Sequence, residues 1–167
     1  MQSVSVRWAE PVFDDMVLVY NCRFESEASR MFSDLAIPTV KTHIQWMTDE
    51  INSGRSKYVI GSAEDSPIGF VRFARGKYDP GCRPMPNVDG LWSVSLALKS
   101  DHRGRGIGTR LYAEAEDFFV GSESTRPLTL VTWARDDNLA SWKLFERVGW
   151  TRHVVPDFRE VVSRTFD

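Results

Sequence analysis

The chain has 167 residues, 42% hydrophobic and 26% charged, which fits one globular domain expected to span 1–167 with a full apolar core. A net charge of -2 and a sequence pI near 5.9 give no positive field of the kind that marks a nucleic-acid binder. Cys22 and Cys82 lie outside any Cys-x-x-Cys spacing, which argues against a zinc ribbon or dithiol site and suits reduced thiols in a cytoplasmic protein.

Met1-Gln2-Ser3-Val4 lacks a basic region followed by an apolar core, so no leader is expected. The longest apolar stretches, such as Met16 to Tyr20, are too short to span a bilayer. Val4, Val6 and Trp8 alternate with polar residues and predict a first strand. Asp14 and Asp15 are candidate caps for a helix whose apolar stripe is Phe13, Val17, Tyr20 and Phe24. Val40, Ile44, Met47 and Ile51 repeat that spacing, with Gly54 as a stop.

Lys57 to Ala63 and Ile68 to Ala74 read as a hairpin around Glu64-Asp65-Ser66-Pro67. The long stretch from Arg75 to Gly90 carries Pro80, Pro84 and Pro86 and suits a loop over an acceptor, with Tyr78, Asp79, Arg83 or Asp89 facing it. Leu91 to Leu98 is a strand with Trp92, Val94, Leu96 and Leu98 on one face. Ser93, Ser95 and Ala97 on the other face are small enough for a ligand to approach closely.

Ile107, Leu111, Ala115, Phe118 and Phe119 predict a helix, Leu128 to Trp133 a buried strand, and Trp142, Phe145 and Val148 a second helix capped by Asn138 and closed by Gly149. A strand pair around Pro156 ends the chain. Strand–helix–strand–helix implies neighbouring parallel strands, and the hairpins make the sheet mixed, so the class is α/β or α+β.

Arg103-Gly104-Arg105-Gly106-Ile107-Gly108-Thr109 joins the Leu91 strand to the next helix. Glycines let backbone N–H groups converge, and a helix N-terminus adds donors and partial positive charge, a combination suited to pyrophosphate. The dinucleotide fingerprint fails, because Thr109 or Leu111 stands where its last Gly belongs, and no Gly-Lys-Ser/Thr is present.

The pattern that fits is Arg-x-x-Gly-x-Gly at Arg103, Gly106 and Gly108. With the strand before and the amphipathic helix after, it resembles the acetyl-CoA loop of the GNAT superfamily of N-acetyltransferases. The run from Asn138 through Phe145 to Gly149-Trp150 extends the resemblance, and the element order matches from about Val4 to Val162. The resemblance implies a mostly antiparallel sheet with a splayed parallel pair, and acetyl-CoA as donor. It implies that Leu96, Ala97 and Leu98 meet the pantetheine arm and acetyl group. Arg103, Gly104, Arg105, Gly106, Ile107, Gly108 and Thr109 would form the pyrophosphate loop, with Asn138 and Ser141 near the pantetheine. Tyr20-Asn21, Arg30, His43 and Trp46 resemble the N-terminal pattern of pseudaminic-acid-pathway N-acetyltransferases, which act on nucleotide-linked amino sugars.

Many GNAT enzymes protonate the leaving thiolate with a Tyr where this chain has Phe145, so Ser141 or water is the candidate donor. Trp92 and Ser93 occupy the strand position where some relatives carry a catalytic Glu, leaving Asp89, His43 and Glu10 as candidate bases. Trp92, Trp133 and Trp142 are expected in the core rather than around an acceptor. His43, His102 and His153 show no metal-ligand spacing. The expected reaction is acetylation of a primary amine on a small molecule, an amino sugar being one such acceptor. The alternatives are a protein N-terminus or lysine as acceptor, and a CoA-binding module without turnover. Neither a nucleic acid nor a membrane is an expected partner, and a homodimer is left open.

Overall fold

The computed structural model describes residues 3–25, 37–75, 89–134, 137–153 and 161–167. In chain order the elements are β1 (Ser5–Trp8), α1 (Phe13–Phe24), α2 (Val40–Asn52), β2 (Ser56–Ala63), β3 (Ser66–Arg75) and β4 (Leu91–Leu98). A 3₁₀ turn (Ser100–His102) leads to α3 (Ile107–Ser122), followed by β5 (Leu128–Trp133), α4 (Leu139–Arg147), β6 (Thr151–His153) and β7 (Val161–Phe166). The strands form one sheet in the order β1-β2-β3-β4-β5-β7-β6. Every neighbouring pair is antiparallel except β4 and β5, as the element order predicts. Among the described residues, no helix is long and apolar enough to cross a membrane.

Strand alternation divides the core between the two sheet faces. Val59, Val71, Phe73, Trp92, Val94 and Leu98 pack with Leu111, Ala115 and Phe119 of α3 and Trp142 of α4. Phe119 stacks on Phe73 at 3.9 Å and meets Trp92 edge-on at 5.1 Å. Tyr58, Ile60, Phe70 and Ala97 face the other way, against Met16, Val19 and Cys22 of α1 and Met47 of α2. Trp92 and Trp142 are thus core residues, as expected, while Trp133 is half-buried.

Local chemistry explains the element ends. Glu64 and Asp65 hold φ of 49° and 60° between Ala63 and its partner Ser66, the two-residue hairpin geometry whose twist suits the flanking strands. Thr39 caps α2 by accepting the Thr42 N–H, and Asn138 caps α4 by accepting the Ser141 N–H. Gly54 and Gly149 follow α2 and α4 at positive φ.

The start of α1 differs from the expectation. Its N-cap is Val12, which has no side chain able to cap. Asp15 is buried and accepts two bonds from Arg7 (2.6 and 2.7 Å) and one from the Glu10 N–H (2.9 Å). A bidentate arginine binds a carboxylate more strongly than a helix end does. Burial pushes the Asp15 carboxyl up, but the Arg7 and Glu10 hydrogen bonds and the Arg7 charge hold it below its ordinary value. The expected stripe is also rotated. Phe13 is 66% exposed, Tyr20 and Phe24 turn toward α2, and Met16, Val19 and Cys22 face the sheet. Residues 76–88 and 154–160 lie outside the described residues, and with them Tyr78, Asp79, Arg83 and the bend at Pro156.

Candidate active site

The parallel ladder of β4 and β5 is short, running from Leu91↔Thr129 through Trp92↔Leu130 to Ser93↔Val131. One step further, the Thr132 hydroxyl donates to the Val94 carbonyl at 2.8 Å. β4 continues to Leu98, paired on its other side with β3 as far as Gly69. From Ser95 to Leu98 the β5-side edge of β4 therefore pairs with no strand among the described residues. A wedge opens there at the C-terminal ends of both parallel strands, where α/β sheets commonly take ligands. Ser93, Ser95 and Ala97 lie on the α1 side of β4, with Leu96 and Leu98 toward the α3 core.

The loop beyond Leu98 supplies donors. Gly104 and Gly106 both hold φ of 76°, and Gly106 is the N-cap of α3. A Cβ at either glycine would meet nothing within 4 Å, so backbone conformation, not crowding, calls for Gly. The first helical hydrogen bond is Arg110 N–H to the Gly106 carbonyl (3.4 Å), and among the described residues no backbone N–H from Gly104 to Thr109 finds an acceptor. These are the orphan donors of a helix start, reinforced by the helix dipole. Gly108 serves packing, since a Cβ there would sit 3.2 Å from Leu98 Cδ1 and 3.6 Å from Leu144 Cδ1. That contact brings β4, α3 and α4 together at the wedge.

Arg103 turns its guanidinium back into the protein. Nε and Nη2 donate to the Leu98 carbonyl (3.1 and 2.8 Å), and Nη2 also reaches Glu25 at the end of α1 (2.8 Å). Its side chain therefore fixes the loop to β4 and α1, while Arg105 is exposed. Cys22, one turn back on α1, is buried, and burial with the nearby Glu25 pushes its thiol up to about 12, which disqualifies it as a nucleophile.

Ser141, half-buried, occupies the first turn of α4, which leaves the C-terminal end of β5. Phe145 is 2% exposed and packs against Tyr112 (5.1 Å) and Trp150 (4.7 Å). It holds α4 on α3 and has no proton to give. The structure thus brings Leu96 to Leu98, Gly104 to Thr109, Asn138 and Ser141 to one end of the sheet.

The carboxylates proposed as bases lie elsewhere. Asp89 is exposed in the turn entering β4, at the opposite end of that strand from Leu98. Glu10 is exposed beyond β1, which β2 and β3 separate from β4. His43 is buried among Tyr20 (5.4 Å), Phe24 (5.7 Å) and Trp46 (5.7 Å). Burial, aided by the Arg23 charge, pushes its imidazole down to about 4, against a hydrogen bond to the Met16 backbone. Arg30 lies outside the described residues.

Two features escape a reading by sequence. Thr132 sits in an apolar run that signals only a buried strand. Arg72, on β3, bonds to Glu50 (3.0 Å) and Ser56 (2.9 Å) from three different elements, and no local spacing announces such a cluster. Among the described residues no group of three or more His, Cys, Asp or Glu side chains could hold a metal ion.

Residues 20–150 match the family model described as the acetyltransferase (GNAT) family. No curated protein is significantly similar in sequence. Solved structures resemble the chain over nearly its whole length. An aminoglycoside acetyltransferase in complex with coenzyme A superposes with a TM-score of 0.74 at 18% identity, over 98% of this chain and 95% of that one. The ribosomal L7/L12 α-N-protein acetyltransferase RimL, also with coenzyme A, gives 0.73 at 14% identity, over 98% and 94%. An N-acetyltransferase from Staphylococcus aureus Mu50 gives 0.71 at 18% identity, over 98% of each chain.

Proposed function

Because the chain belongs to the acetyltransferase (GNAT) family, we propose that it transfers an acetyl group from acetyl-CoA to a primary amine of a small molecule by direct attack. The observation that carries this reading is the convergence of the open β4 edge with the unpaired N–H groups of Gly104 to Thr109. The pyrophosphate suits the loop, and the pantetheine arm suits the β4 edge at Leu96 to Leu98, passing Asn138 and Ser141. A β4 backbone N–H polarises the thioester carbonyl, so no side chain is needed for that step. The acceptor approaches over Ser93, Ser95 and Ala97, whose small side chains let the amine come within roughly 3–3.5 Å of the carbonyl carbon.

As the tetrahedral adduct collapses, the carbon–sulfur bond breaks and the thiolate takes a proton. Ser141 or a water relayed through it supplies that proton, because Phe145 cannot. The attacking amine loses its proton to water rather than to a fixed carboxylate, since Asp89 and Glu10 are remote from the wedge.

The structural relatives act on different acceptors, aminoglycosides in one case and a ribosomal protein N-terminus in another, so their shared fold leaves the acceptor open. An amino sugar is the acceptor class favoured here, in keeping with the aminoglycoside complexes. Titration with acetyl-CoA, followed by thiol release over a panel of amines, tests the reading. Micromolar binding with release on small amines is expected. Folded protein without affinity for acetyl-CoA overturns it, and binding without release on any amine or peptide leaves a CoA-binding module.

A further inference from the structure

The open edge of β4 has a definite length. It begins beyond the Thr132–Val94 bond and comprises Ser95, Leu96, Ala97 and Leu98, where the strand ends. At about 3.3 Å per residue that edge spans roughly 13 Å. The pantetheine arm of CoA has about twelve bonds from its phosphate ester to its sulfur, the same as about four residues of main chain, so it extends to roughly 13–14 Å. Its phosphate end belongs beside Leu98, because Gly108 at the start of α3 stands against the Leu98 side chain. An arm laid along the edge from there brings its sulfur to Ser95 and Leu96, with the acyl group pointing at the apex of the wedge.

Backbone phase fixes where the thioester carbonyl sits. The Lys99 N–H donates to the Ile68 carbonyl on β3 at 2.9 Å. Alternate residues of an antiparallel strand turn their backbone groups to the same neighbour, so Ala97 and Ser95 also face β3. Leu96 and Leu98 face the open edge, in phase with Val94, whose carbonyl meets the Thr132 hydroxyl. The Leu96 N–H is therefore the open-edge donor nearest the apex. Two residues separate Leu96 from Val94, roughly 6.6 Å along the strand. One carbon–carbon bond of about 1.5 Å and one contact of about 4 Å fill most of that distance. Thr132 and Val94 are 5% and 4% exposed, and behind them the Ser93↔Val131 and Trp92↔Leu130 pairs close the ladder.

We infer that Thr132 determines the acyl length of the donor: its side chain is the wall that an acetyl methyl group meets and that a longer chain strikes. Thr132 is then a specificity residue, which touches the far end of the acyl group and takes no part in proton transfer. The remaining way out of the wedge passes over Ser95 and Ala97. A longer chain that turned there would occupy the approach of the amine. The inference rests on the acetyltransferase reading above and deepens it.

The test is calorimetric titration with CoA, acetyl-CoA, propionyl-CoA and butyryl-CoA, which needs no acceptor. In the native protein the Kd for propionyl-CoA is expected to exceed that for acetyl-CoA at least tenfold, the discrimination that one methylene gives in a packed pocket, with butyryl-CoA weaker still. Thr132→Ala removes the wall, and its propionyl-to-acetyl ratio is expected to fall below threefold. Thr132→Ser keeps the hydroxyl and removes only the methyl group, so it should give an intermediate ratio, and it carries the test if Thr132→Ala does not fold. Thr132→Val keeps the wall without the hydrogen bond. Its affinities should all weaken together while the ratio stays at least tenfold, which a general loss of structure would not produce. Equal affinity for the three thioesters in the native protein, an unchanged ratio in the smaller variants, or a ratio lost in Thr132→Val overturns the inference and leaves the acetyltransferase reading standing. Folded native protein with no affinity for CoA or any thioester overturns both.

Discussion

Thr132 on β5 gives its hydroxyl to the Val94 carbonyl on β4, one residue beyond the last pair of their parallel ladder. Both groups are buried, and the bond stands where the strands begin to part. It pins the apex of the wedge that the pantetheine arm is proposed to enter. Thr132→Val keeps the shape and removes the donor, leaving a buried carbonyl unpaired at a cost of about 1–3 kcal/mol. Chemical denaturation should show that loss as a lower midpoint with an unchanged slope. Acetyl-CoA affinity, measured by titration, should fall several-fold, because the edge is no longer held at one opening.

The two glycines of the loop should behave differently from each other. Gly106 is at φ 76° with open space around it, so Gly106→Ala meets no clash and is strained only by its left-handed backbone, about 1–2 kcal/mol. The helix start would shift to relieve that strain and its orphan N–H groups would lose their convergence. Acetyl-CoA binding is expected to weaken at least tenfold. Gly108→Ala is free of positive φ and presses only on the tips of Leu98 and Leu144, so binding should change by less than threefold. Equal losses for the two variants would contradict a backbone role for Gly106.

Glu116, buried on α3, accepts from Tyr112 (2.8 Å), Trp150 (2.8 Å) and Arg164 (2.7 Å) and so ties β7 and the end of α4 to α3. Burial and the adjacent Glu116 push the Tyr112 hydroxyl well above its ordinary value, so it remains a donor at all physiological pH. Glu116→Leu strands two buried donors, the Tyr112 hydroxyl and the Trp150 indole N–H. Arg164 is 40% exposed and recovers water, so the expected loss is about 2–3 kcal/mol, below that of a fully buried pair. Thermal unfolding should fall by roughly 4–12 °C at this chain length.

The sequence makes the parallel strand pair and the loop legible because both rest on local patterns: the strand–helix–strand order around β4 and β5, alternation in β4, glycine spacing before α3, and Asn138 three residues before the N–H that it caps. It misplaces the inner face of α1 because that helix is apolar on two sides. Met16, Val19 and Cys22 meet the sheet, whereas Tyr20 and Phe24 meet His43 on α2, and the spacing alone does not say which partner is the sheet. Asp15 fails as a cap for a related reason, since Arg7 comes from another element. The Arg72 cluster is least legible, because Tyr58 meets Arg72 through the β2–β3 register and Glu50 reaches Arg72 from α2.

His43 gives the stability a pH signature. Its imidazole is held down to about 4 by burial and the Arg23 charge, against 6.5 in an unfolded chain. Between those values the unfolded state binds a proton that the folded state refuses. Stability is therefore full above about pH 6.5 and declines as the pH falls toward about 4, by up to about 1.4 kcal/mol for each unit. Asp15, whose folded pKa lies below its ordinary 3.8, loses its contribution only at lower pH, so the two windows are separate. Urea midpoints measured from pH 7.5 to 4.5 should fall in the native protein and stay flatter in His43→Phe. An identical slope in the variant would assign the loss to other groups.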